Sequence, residues 1–76
     1  MIGNYPVVEL TNGIKAKFMC MNIEGLELYK NLADGKNNLI RDENDCWSVS
    51  DGKEWGKRET PLFGVKTKEI LRHDVF

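Results

Sequence analysis

Few side chains in this sequence are of a kind that does chemistry, and their spacing limits what each can do. The single histidine, His73, is followed directly by Asp74. A carboxylate can orient an imidazole as a general base. Here the two are chain neighbours on a terminal segment, and no serine stands in a Gly-x-Ser-x-Gly context, so His73 reads as a surface imidazole. Cys20 and Cys46 form no Cys-x-x-Cys pair, and one histidine cannot complete a four-ligand zinc site with them. They are expected as reduced structural thiols, with a disulfide between the two halves of the chain as the alternative. Asp42, Glu43, Asp45 and Asp51, with Asn44 among them, invite a calcium reading. The alternating acidic ligands, central glycine and terminal glutamate of a calcium loop are missing, which leaves a solvated turn. No glycine-rich loop ends in Lys-Ser or Lys-Thr, so a phosphate cradle is absent. The chemistry expected is therefore non-catalytic, with no cofactor and no metal.

Recognition is better represented. Trp55 lies in Lys53-Glu54-Trp55-Gly56-Lys57-Arg58, and Leu62 and Phe63 follow Pro61. Trp and Arg dominate binding hot spots, because they bury much area and supply directional donors. Trp55, Lys57, Arg58, Leu62 and Phe63 are accordingly the candidate partner-binding residues. The competing reading of Trp55 is a lid on the core, with Lys or Arg stems lying against it. Charge is uneven. Residues 1–52 carry five basic and eight acidic side chains, and residues 53–76 carry six basic and four acidic. Lys53, Lys57, Arg58, Lys66, Lys68 and Arg72 could form a basic patch, but Glu54, Glu59 and Glu69 interleave with them and favour a mixed surface. Met19 and Met21 flank Cys20 and read as core filler, with an adaptable interface as the alternative.

These residues need a scaffold, and the sequence reads as mostly β. Two β-prone runs flank Asn12-Gly13, a hairpin signal. A three-residue loop, Thr11 to Gly13 with Gly13 left-handed, pairs Leu10 with Ile14, Val8 with Ala16 and Glu9 with Lys15. It keeps Val8, Leu10, Ile14, Ala16 and Phe18 on one face, whereas a one-residue slip mixes charge into that face. Residues 23–34 read as a helix, with Asn22 as N-cap and Gly35 past the end. Leu26, Leu28 and Leu32 also fit a strand period, and Asp34-Gly35 is a hairpin turn, so a hairpin is the alternative. From residue 37 the pattern is β. Trp47 and Val49 share a core face, Asp51-Gly52 is a second hairpin signal, and a return strand runs through Trp55. A loop covers 56–61 and a short strand 62–66. Residues 67–73 fit a helical turn or a last strand. The architecture expected is a small curved antiparallel sheet or an SH3-like barrel, all β or α+β with one helix at 23–34.

Seventy-six residues make one domain, 1–76, with a thin core. Its net charge of −1 argues against a basic nucleic-acid arm and against an acidic DNA mimic. No run approaches the length of a membrane span, and the N-terminus has no signal-peptide pattern, so a soluble cytoplasmic chain is expected. The function expected is a protein-binding module: a small regulator or inhibitor, of the type phages and mobile elements carry, that occupies a site on a larger protein. A nucleic-acid-binding β-barrel is the alternative, using Trp55, Phe63 or Tyr29 as stacking platforms. A subunit of a homo- or hetero-oligomer, including a homodimer, is the second alternative.

Overall fold

A computed structural model describes residues 4–50 and 60–75. Seven strands appear in it: β1 (Asn4–Leu10), β2 (Lys15–Met21), β3 (Glu27–Asn31), β4 (Lys36–Arg41), β5 (Trp47–Val49), β6 (Thr60–Pro61) and β7 (Thr67–Val75). All are antiparallel in one sheet of order β6-β5-β4-β3-β2-β1-β7. The molecule is a small all-β domain, with no helix among the described residues.

The first hairpin has the expected register. Val8 lies opposite Ala16 and Glu9 opposite Lys15. The Leu10 N–H donates to the Ile14 carbonyl at 2.8 Å, and Gly13 has φ +90°. The reason is burial. Val8, Leu10 and Ala16 join Tyr29, Leu39 and Trp47 in the main core, and Ile14, Phe18, Val49, Leu62 and Val65 pack against it. Tyr29 is the hub, with its ring 5.5 Å from Phe18 and 4.7 Å from Trp47. Aromatic contacts at these separations add to area burial.

The helix expected over 23–34 is not formed. Asn22, read as an N-cap, instead closes a hairpin turn: its side-chain Oδ1 accepts from the N–H groups of Glu24 and Leu26. Glu27–Asn31 then runs as a strand paired on both sides. Leu28 and Tyr29, adjacent in sequence, are both buried. Tyr29 belongs to the main core, and Leu28 packs with Leu26 and Ile40 in a second cluster. Neighbours buried in separate clusters suit a strand, whose side chains alternate between faces. Asn31 and Asp34 close the next turn in the same way, accepting from the N–H groups of Ala33 and Lys36.

Three further expectations are corrected. The sheet does not close into an SH3-like barrel. β6 is two residues long and ends in Pro61, which has no N–H to extend a ladder. Residues 62–66 are a turn and crossing segment rather than a strand, and the undecided segment from Thr67 is an edge strand. Within β2, the pairing shifts between Phe18 and Cys20. The shift puts Cys20 opposite Leu28 instead of in line with Phe18, and leaves Met21 57% exposed rather than in the core. Both cysteines are free and exposed, so the disulfide alternative is also set aside.

Candidate functional site: an Asp45-anchored turn displaying Phe63

The segment from Leu62 to Thr67 crosses the core from β5 toward β1, and each end is fixed. At its start, the Leu62 N–H donates to the Trp47 carbonyl at 2.9 Å. At its end, Lys66 and Thr11 bond reciprocally: Thr11 N–H to the Lys66 carbonyl at 2.8 Å, and Lys66 N–H to Thr11 Oγ1 at 3.0 Å. Leu62 and Val65 pack against the main core between these ties. The Val65 N–H closes a turn on the Leu62 carbonyl at 3.2 Å, with Gly64 at φ +77°. A left-handed third residue belongs to a type II turn and is cheapest for glycine. The turn leaves Phe63 at its apex, 89% exposed.

The strongest tie is Asp45. Its Oδ2 accepts from the Thr67 N–H at 3.0 Å. Its Oδ1 accepts from the Thr67 hydroxyl, from Arg41 Nε at 2.7 Å and from Trp47 Nε1 at 3.2 Å. The same guanidinium reaches Glu27 through Nη1 at 2.8 Å, and Glu27 accepts from the Tyr29 hydroxyl at 3.0 Å. One polar chain thus links β3, β4, the β4–β5 turn and the start of β7 along the rim of the core. Burial works against the charge on Asp45, but the hydrogen bonds from Thr67 and Arg41 outweigh it and bring the carboxyl down to about 2. Burial, followed by the neighbouring Glu27 carboxylate, pushes the Tyr29 hydroxyl up.

The candidate residues named from sequence divide sharply. Trp55, Lys57 and Arg58 lie outside the described residues, as do Asp51 and Lys53. Leu62 is half-buried and serves as a root of the turn, whereas Phe63 is its exposed tip. Trp47 is core, as expected. Tyr29 is 4% exposed, which removes it as a stacking platform. No family model, no curated protein and no solved structure matches this chain.

The remaining candidates are not brought together. His73 Nδ1 lies 3.1 Å from Asn4 Oδ1, and Asp74 pairs instead with Arg72 and Lys17, so His73 and Asp74 form no dyad. Lys66 Nζ lies 3.5 Å from Cys46 Sγ, and Arg72 is engaged with Asp74, so these two cations of the mixed-charge third are each paired; Lys53, Lys57 and Arg58 lie outside the described residues. Asp42 accepts from the N–H groups of Asn44 and Cys46 as a turn closer. Among the described residues, no group of His, Cys, Asp or Glu is placed to hold a metal ion. Sequence reading missed the role of Asp45. The available signal was an acidic residue at the fourth position of a hairpin turn, where glycine is the easier choice.

Proposed function

We propose that this chain is a non-catalytic protein-binding module, a small regulator or inhibitor that docks on a larger protein through the 62–65 turn. One observation carries the reading: Phe63 is 89% exposed at the apex of a turn whose two roots pack against the core. An aromatic held out of the protein on a segment tied at both ends meets the two requirements of an anchor residue. It offers a large apolar area, and little conformational freedom is lost when it is bound. An exposed Phe on a floppy loop would meet only the first.

The test is capture by the tagged chain from lysate of the source cells or their host, with and without nuclease, beside the Phe63→Ala variant. Phe63 contributes almost nothing to the core, so the variant should melt as the wild type does. The expected result is a stoichiometric protein partner that survives nuclease and whose affinity falls about 30-fold with Phe63→Ala. Capture that ignores the substitution, or that vanishes with nuclease, would overturn the reading.

A further inference from the structure

Phe63 has a counterpart on the neighbouring turns. The β2–β3 turn displays Ile23, fully solvent-exposed. Between that turn and the 62–65 turn stands the β4–β5 turn, and a groove runs on each side of it. The first, about 290 Å³, is bounded by Glu24 and Leu26 on one wall and by Asp42 and Glu43 on the other. The second, about 210 Å³, is bounded by Asp42 and Cys46 across from Leu62, Phe63 and Val65, with Trp47 also contributing to its lining. The two grooves differ in chemistry. Three carboxylates, from Glu24, Asp42 and Glu43, border the first, whereas apolar side chains dominate the second. Among the described residues, one ammonium, that of Lys66, reaches the second groove, where it approaches Cys46 at 3.5 Å. Asp45, the remaining carboxylate of the middle turn, points toward Arg41 and Thr67, and Asp42 accepts from the backbone of its own turn, so Glu24 and Glu43 are the carboxylates that give the first groove its outward charge.

We infer that these three turns form one docking surface, and that its occupant is a protein segment carrying a lysine or arginine close to a bulky apolar side chain. The cation would enter the acidic groove beside Ile23, and the apolar side chain would enter the groove beside Phe63. This inference rests on the docking reading above and adds the chemistry of the partner. Charge complementarity is what selects it: a carboxylate-lined groove rejects an acidic segment and speeds encounter with a basic one. Hydrogen bonds fix each of the three turns, so the surface is formed before the partner arrives.

The experiment is selection of a random twelve-residue peptide display library on the immobilised full chain, followed by titration of the enriched peptides. The expected peptides carry Lys or Arg within a few residues of Leu, Phe, Ile or Met. Their affinity should fall about tenfold with Glu43→Lys, with Phe63→Ala and on raising salt tenfold. Glu43 is exposed, so its substitution spares the core. Enrichment of acidic peptides, or no enrichment, would overturn the inference. Loss of binding with Phe63→Ala but not with Glu43→Lys would overturn the partner chemistry while leaving the docking reading intact. Indifference to both variants would overturn the two together.

Discussion

The turn joining β2 to β3 and the turn joining β4 to β5 close with the same hydrogen bonds. In the first, the N–H of Asn22 donates to the Leu26 carbonyl and the N–H of Gly25 to the Asn22 carbonyl. In the second, Asp42 pairs with Cys46 and Asp45 with Asp42 in the same pattern. In both, the first side chain accepts from the N–H groups two and four residues on. They part at the fourth position. Gly25 holds φ +83° without a Cβ, whereas Asp45 holds φ +59° with one. Asp45 is the one non-glycine residue with positive φ among the described residues. A side chain there costs about 1 kcal/mol against glycine. Its carboxylate offsets that cost by fastening Arg41, Trp47 and Thr67, and through Thr67 it holds the end of the segment that displays Phe63. Both turns reverse the chain, and the second also anchors the segment that displays Phe63.

Asp45→Ala keeps the left-handed backbone and removes every bond the carboxylate makes, so it should cost about 3 kcal/mol of stability in urea unfolding. A loss well under 1 kcal/mol would show the bonds to be incidental. Acid should do part of the same work. The Asp45 carboxyl titrates near 2 when folded, against 3.8 for its ordinary value. Its contribution is then fully present above 3.8 and lost as pH falls toward 2, for about 2 kcal/mol in total. Unfolding followed from pH 5 to 2 should show that loss in the wild type and lack it in Asp45→Ala.

Smaller effects sharpen the contrast. Thr67→Val removes one donor to Asp45 and should cost about 1 kcal/mol. Combined with Asp45→Ala it should fall short of additivity by at least ~0.5 kcal/mol, because the two share a bond. Full additivity would separate Thr67 from the anchor. At the plain turn, Gly25→Ala should cost about 1 kcal/mol. An added Cβ there meets nothing within 4 Å, so backbone strain alone acts. A neutral result would mean the left-handed position is not strained in this setting, and the cost assigned to Asp45 would fall with it.

How much of this could be read from the chain depends on whether the cause is local. The first hairpin was legible because Asn12-Gly13 sets the turn and the alternation of Val8, Leu10, Ile14 and Ala16 sets the register. Trp47 in the core was legible for the same reason. Residues 22–35 misled because Asn, Asp and Gly end helices and close hairpins with the same side-chain and backbone chemistry. Burial of both Leu28 and Tyr29 decided between them, and that depends on strands remote in sequence. The bulge after Phe18 left no local mark. Phe63 was legible as a contact candidate shortly after a proline, but not the turn that holds it out, which comes from Leu62 and Val65 packing inward where a strand was expected. Asp45 was hidden most deeply. Its partner Thr67 lies on the far side of residues 51–59, so local sequence offered only an acidic turn.

The most direct measurement is the unfolding free energy of Asp45→Gly at neutral pH. Glycine relieves the left-handed backbone and makes none of the carboxylate's bonds, so it sets strain against anchoring in one substitution. If Asp45 is held in place for its bonds, the variant is less stable than the wild type by about 1 to 2 kcal/mol. A variant as stable as the wild type, or more stable, would contradict the account: Asp45 would then be an ordinary turn residue, and Phe63 would need another support.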